Sequence, residues 1–302
     1  MSLMTTANLQ KTWAQDMDKL RFNQFKLVPA QSPDIFNEET ITNMHYVRRG
    51  ALVGLASLQS MNEGNAIPFD SLLDGPEKTV YPAKFGLQVQ VTNEAMQDDR
   101  SGILKNQLGT SLGIAQKQTI EFATWDILNS GFATTRVGVD GKALFASDHP
   151  LYGVPGATFS NIATGSLSRS TLQSAIKIFH TLVNDRNLPI MYEPAVLVIH
   201  PNLEWKAKEL LMSPYDPETA NRNINPIYGI GLRYYVSRYV TSTTAWYLIS
   251  EKALHDMRIL WFTKPQFNSY PDENVEAMIF KASMRFLSTF WDWRGVVASM
   301  GV

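Results

Sequence analysis

The stretch Phe85-Gly-Leu-Gln-Val-Gln-Val-Thr-Asn-Glu-Ala-Met-Gln-Asp-Asp99, with residues 101–129 behind it, decides the architecture. Phe85, Leu87, Val89 and Val91 alternate with Gly86, Gln88, Gln90 and Thr92, the period-two pattern of a half-buried strand with one apolar and one wet face. Beyond the acidic turn at Asp98-Asp99, the residues Leu104, Leu108, Leu112, Ala115, Phe122 and Trp125 recur at three- and four-residue steps. That spacing predicts a helix over residues 101–129, about 40 Å long at 1.5 Å per residue. Gly131 stands where such a helix would stop.

Upstream, residues 62–82 are rich in Asn, Gly, Pro, Asp and Ser, and Gly64, Pro68, Asp74-Gly75-Pro76 and Pro82 interrupt any regular element. A connection this long inside a domain is usually functional or disordered, so the segment reads as a projecting loop or hairpin. Ahead of it, Leu9, Trp13, Met17 and Leu20 fit one face of a short amphipathic helix, and the chain then runs past Phe22 and Phe25 to Pro29 and Pro33 as an extended arm. An arm of amides and prolines carrying aromatic anchors needs a surface to lie on, and a neighbouring subunit is the expected one.

Downstream comes a turn-rich segment from Gly138 to Gly156, then Ser170-Thr-Leu-Gln173, which reads as a capping box opening the helix of Leu172, Ile176, Phe179 and Leu182. Ala195 to Ile199 is a continuous apolar run between Pro194 and Pro201, a buried strand, with a helix from Asn202 through Trp205 and Leu211. Residues 232–236, 246–249 and 259–263 read as short strands. Residues 276–289 read as a longer one, with Met278, Phe280, Ala282, Met284 and Phe286 on its apolar face. The whole is an α+β chain with a compact α/β unit in its middle.

Composition removes several functions. The chain has 302 residues, no cysteine and a formal charge of -1, which excludes disulfide frameworks and Cys-ligated metals and lacks the basic excess of a dedicated nucleic-acid binder. No stretch approaches the ~18 apolar residues of a membrane span, and the first residues do not form a secretory leader, so a soluble cytosolic protein is expected. Charged residues make up 18%, below the ~25% usual in soluble domains. Aromatics are plentiful, a balance that interface cores share.

No chemical site emerges. His45, His149, His180, His200 and His255 are scattered without metal-ligand spacing, and no cofactor is expected. Gly138 to Lys142 departs from a phosphate loop at Arg136 and Ala143. Ser147-Asp148-His149 suggests a hydrolase, but triads are assembled from residues distant in sequence, and a turn before Pro150 is the simpler reading. Glu38-Glu39 and Asp98-Asp99 read as solvated charges, and Phe290, Trp291 and Trp293 as packing aromatics.

The order of five segments carries a resemblance. They are the strand and turn of residues 85–99, the long helix, Asp140-Gly-Lys-Ala-Leu-Phe-Ala-Ser-Asp-His-Pro150, Pro194-Ala-Val-Leu-Val-Ile-His-Pro201 with Leu203-Glu-Trp-Lys-Ala207, and Trp291-Asp-Trp-Arg-Gly295. From about residue 35 to the C-terminus the chain resembles the major capsid (head) proteins of tailed bacteriophages, including Mu-like prophage head subunits. The resemblance implies an N-terminal arm at 1–45 and a peripheral domain at 46–165 with an extended loop at 62–82 and a spine helix at 101–129. It also implies an axial domain at 166–258 and a return to the peripheral domain at 259–302. The implied role is structural and non-enzymatic: hexamers and pentamers of an icosahedral head around double-stranded DNA, made in the bacterial cytoplasm and found in the virion.

Trp13, Phe22 and Phe25 on the arm and Phe69, Asp70, Glu77, Lys78 and Tyr81 on the loop are then the expected inter-subunit residues. A scaffold and a portal would be separate chains, DNA contact non-specific, and no membrane involved. Some relatives crosslink a loop lysine to another subunit, but nothing beside Lys78 marks a partner for it. The alternatives are an encapsulin-like compartment shell and, from a different class, a hydrolase using Ser147 or His149.

Overall fold

The computed structural model describes residues 29–99, 103–215 and 223–302, with side chains of the long helix from Gln107 onward. The arm anchors Trp13, Phe22 and Phe25 lie outside the described residues. The chain divides into two compact units.

One unit comprises residues 29–45, Tyr81–Thr124 and Ile259–Ser288. It contains helix α1 (Ser32–Ile35) and strand β1 (Asn37–Thr40), then strand β4 (Ala83–Thr92), helix α2 (Asn93–Asp98) and most of helix α3 (Ile103–Asn129). Strands β10 (Met257–Asp272) and β11 (Ala277–Phe290) complete a sheet ordered β1-β10-β11-β4. Strand β11 pairs antiparallel with β4 from Ala277 opposite Thr92 to Phe286 opposite Ala83. The expected apolar face of β11 is the buried one: Phe280 packs with Val91, Leu112, Met278 and Ala282, and Phe286 meets Phe85 and Trp261. Strand β10 is a single long element rather than the short one expected. Among the described residues only the four-residue β1 pairs with that edge, and an edge strand is where Pro265 and Pro271 are tolerated.

One expectation on α3 needs correcting. Phe122 is 62% exposed, because the buried face runs through Leu112, Gln116, Ile120 and Thr124, and two residues beyond Ile120 is about 200° round the helix. Gln116 and the fully buried Glu121 share the interior instead. Glu121 is held there by the Gln31 and Ser32 N–H groups (3.2 and 2.9 Å) and the Ser32 hydroxyl (2.8 Å), so its charge caps the N-terminus of α1. Glu38 is likewise more than a solvated charge, since it accepts the Trp261 indole N–H at 3.1 Å. In β4 the apolar face opens to solvent at Leu87, which lines a cleft of about 260 Å³ with Phe85, Leu112 and Met284.

The second unit comprises Tyr46–Val80, Trp125–Arg258 and Thr289–Val302. Its main sheet is ordered β12-β9-β7-β8. In it β7 (Pro194–Ile199) pairs parallel with β8 (Arg233–Val236) and antiparallel with β9 (Trp246–Ser250), and β9 pairs antiparallel with β12 (Val296–Ser299). Helix α4 (Arg169–His180) buries Leu172, Ala175, Ile176 and Phe179, and helix α5 (Glu204–Met212) follows a single 3-10 turn. The cap of α4 is Ser168 and not Ser170: Ser168 Oγ accepts the Thr171 N–H and Thr171 Oγ1 accepts the Ser168 N–H. Leu167 and Leu172 flank that cap and are both buried, the pairing of a hydrophobic staple, which the serine two residues later lacks. Gly131 ends α3 for a reason of space. A Cβ there would sit 2.5 Å from the Phe145 ring.

Candidate functional site at the hairpin and its root

Strands β2 (Val47–Val53) and β3 (Leu73–Val80) form an antiparallel hairpin, with Val47 opposite Val80 and Val53 opposite Leu73. The projecting element therefore begins well before residue 62, and its connection is residues 54–72. Asp74-Gly75-Pro76 does not break β3, because a register shift between Gly50 and Leu52 lets the proline sit in an irregular stretch of ladder. Arg48 and Glu77 pair across the ribbon, both half exposed, so the pair contributes at most about 1 kcal/mol.

Within the connection the apolar side chains are bare: Leu58 and Phe69 are wholly exposed and Ile67 is 77% exposed. Asp70 is polar glue at the mouth of this loop. Its carboxylate accepts the N–H groups of Ala56 and Ser71, both at 2.8 Å, and meets Arg186 at 3.3 Å. The Ala56 and then the Ser71 N–H hold its pKa below the ordinary carboxylate value, with burial opposing them and Arg186 adding a lesser lowering. Tyr81 belongs to the other unit, where it lies edge-on to His45 with ring centroids 6.4 Å apart. The expected residues thus do not converge: Phe69 and Asp70 lie in the connection, Glu77 and Lys78 on β3, Tyr81 beyond it.

Lys78 is the root. Its ammonium donates to Thr289 Oγ1 and Phe290 O, both at 2.9 Å, and lies over the Phe290 and Trp291 rings, while Arg49 lies over Trp291 at 5.2 Å. Burial, then the Arg136 charge, lowers its pKa to about 8 from 10.5, with Asp140 opposing. The sign of the pH dependence follows. Between pH 8 and 10.5 the unfolded lysine keeps a proton that the folded one has released, so stability rises with pH through that window, and the penalty is fully present below 8. Relative to Lys78→Met, wild-type stability is expected to gain roughly 2 kcal/mol between pH 7 and 9.5, measured by denaturant unfolding. Parallel profiles would show that Lys78 is not desolvated.

Behind the root, two of the quoted motifs, residues 140–150 and 291–295, meet in one polar cluster. His149 is fully buried, with Nδ1 2.6 Å from Asp140 and Nε2 3.2 Å from the Asn161 side chain, and it stacks on Trp293 at 4.3 Å. Arg294 lies over the same indole and bonds Asp185 at 2.9 Å, Asp292 at 3.1 Å and the Val183 carbonyl at 3.1 Å. Burial opposes its charge, but Asp292 and Asp185 outweigh that and raise its pKa. This cluster backs a cleft of about 270 Å³ lined among others by Arg49, Tyr152, Asp256 and Trp291. Ser147-Asp148-His149 does not assemble a triad: both His149 ring nitrogens are engaged, Asp148 pairs with Lys142, and Ser147 faces solvent. The arrangement ties segments together.

Among the described residues no group of His, Asp and Glu is placed to hold a metal ion, and no helix is long and apolar enough to cross a membrane. Sequence reading missed Asn161, Asp185, Arg186 and Arg294 as parts of the site. Arg294 lay inside a quoted motif, but the others stand in connecting segments outside every quoted motif, with partners well separated in sequence.

A family model described as phage capsid protein matches residues 76–299. The chain belongs to the phage capsid protein family. The match spans the hairpin root, α3, the polar cluster and the terminal strands, so the fold just described is that of a major capsid protein, a structural component of the virion. Among curated proteins none matches the chain.

Solved structures agree in fold. The mature capsid of bacteriophage PhiM1 is similar with a TM-score of 0.60 at 11% identity, over 90% of this chain and 86% of that one. The procapsid of bacteriophage JBD30 gives 0.52 at 15% identity, over 98% and 76%. A virus-like particle from Pyrococcus furiosus gives 0.51 at 8% identity, over 94% and 98%. At these identities the likeness is one of fold, and it is the family match that places this capsid protein with phages.

Proposed function

We propose that copies of this capsid protein gather into pentamers and hexamers of an icosahedral head around double-stranded DNA, as Mu-like head subunits do. The observation that carries this is the loop 54–72, tied down at its mouth while Leu58, Ile67 and Phe69 stand bare. A soluble chain leaves such a row uncovered when another molecule covers it. Phe69, Asp70, Glu77, Lys78 and Tyr81 serve that contact directly or by fixing the hairpin, and Trp13, Phe22 and Phe25 serve it from the arm. Residues 46–165 and 259–302 act as the peripheral parts of the subunit and residues 166–258 as the axial part.

The mechanism is association without a bond-making step. Each contact is moderate, and multiplication over neighbours makes the shell stable. Ordering loop and arm costs conformational entropy, which the aromatic and aliphatic burial offsets. A chain of net charge -1 suits weak, sequence-independent contact with packaged DNA. Scaffold and portal are separate chains, and assembly takes place in the host cytoplasm. Size-exclusion chromatography with light scattering, followed by negative-stain electron microscopy, is expected to show rings of five or six, tubes or closed shells. A strictly small species at every concentration and salt, with scaffold co-expressed, would overturn the proposal.

A further inference from the structure

The direction in which the loop leaves the hairpin is fixed at its mouth, since beyond the mouth its residues are exposed. The ladder already joins the two ends at Val53 and Leu73, but a single joint of that kind leaves the loop free to swing about the end of the ribbon. Arg186 supplies a second fixed point. Its Nε donates to the Gly54 carbonyl at 3.0 Å, and its Nη2 donates to the Ser71 carbonyl at 3.0 Å and to Asp70 at 3.3 Å. One guanidinium therefore grips the first residue of the connection and two of its last.

The grip is itself anchored. Arg186 sits in a turn where the Asn184 side chain accepts the N–H groups of Arg186 and Leu188, each at 2.9 Å, and where Asn187 takes a left-handed conformation (φ 60°). Gly153 lets the turn press close, since a Cβ at that position would lie 2.6 Å from both Arg186 Cδ and the Asp185 carbonyl oxygen. Asp185, next in chain, is held by Arg294. The turn is thus continuous with the buried cluster on one side and with the loop on the other. The Arg186 side chain is only 16% exposed, although every acceptor it meets lies on a surface loop.

We infer that Arg186 is a positioning residue that sets the aim of loop 54–72 before assembly, by bridging both ends of the loop to the 184–187 turn. A planar fork with five donors suits three acceptors spread over two strands of chain, and a lysine, with one point charge, satisfies fewer of them in fixed directions. The inference rests on the reading of the loop as the inter-subunit element. It adds that the loop is delivered pre-aimed, which lowers the ordering penalty at each contact.

The test uses the full chain carrying Arg186→Ala, Arg186→Lys or Asp70→Ala. The last attacks the same mouth from the loop side, where no core packing is at stake. Hydrogen exchange and limited proteolysis of residues 54–72 are expected to speed up about tenfold or more in Arg186→Ala and Asp70→Ala, with thermal unfolding nearly unchanged, and Arg186→Lys should recover only part of the protection. Particles made from these variants are expected to be heterogeneous in diameter beside wild-type particles made in parallel. Unchanged protection would overturn the clamp. Lost protection with wild-type particles would overturn the positioning role. Normal shells from a chain lacking the loop tip would instead overturn the reading of the loop, and would leave the effect of Arg186 on protection standing.

Discussion

Removing residues 57–69 is expected to leave a folded capsid protein that forms no closed shell. Every residue in that span is exposed and none belongs to the core of either unit, so the chain loses almost no buried surface with it. Shortening the connection also lowers its closure entropy slightly, and Gly54, Ala56, Asp70 and Ser71 remain to close the mouth. The stability of the isolated chain should therefore change by less than about 1 kcal/mol. Assembly responds differently, because a lost contact recurs at every subunit. A loss of only ~1.4 kcal/mol is tenfold in each pairwise equilibrium, and compounded over a closed shell it abolishes the product. Light scattering and electron microscopy read this directly, and shells of normal size from the shortened chain would refute the role assigned to the tip.

The second large effect is expected from Arg294→Ala. The guanidinium is nearly buried between Asp185 and Asp292, bonds the Val183 carbonyl and covers Trp293. Truncation strands Asp185, which is itself mostly buried, and opens a void over the indole. Breaking a buried pair from one side costs about 3 kcal/mol. In a chain of this size such a loss lowers the melting temperature by roughly 5 °C. Replacing both partners, as Arg294→Met with Asp185→Leu, removes the stranded charge and should restore a good part of the loss. If the single variant melts like the wild type, the cluster is not the tie between segments that its geometry implies.

The parts of the fold that a linear pattern encodes were legible in sequence. Strand β11 was, because Met278, Phe280, Ala282, Met284 and Phe286 alternate without interruption, and so was α3, because apolar residues recur from Leu104 to Trp125, about six turns. Phe122 was misplaced because glycines and the amide Gln116 occupy the buried face, which a search for apolar residues passes over. Strand β2 was missed because Arg48-Arg49-Gly50 reads as a solvated stretch until the opposite strand supplies Glu77 and Lys78. The site was less legible still. His149 was visible as a turn residue, but its partners Asp140 and Asn161 lie nine and twelve residues away, and Arg186 bonds mainly backbone carbonyls, which no residue type announces.

Among the described residues the hairpin is a ribbon of two strands, so each strand presents one open row of backbone donors and acceptors. A flat ribbon of that kind invites further strands and, at the concentrations of a filling head shell, would grow into fibres. Here the register shift beside Gly50 interrupts the ladder, Pro76 brings no N–H to β3, and Arg48 and Glu77 load the ribbon with charge. These features disfavour open-ended pairing along the edge, and under the role proposed for loop 54–72 a neighbour recognises the side chains at the far end of the ribbon, a set that can be saturated once and then closes.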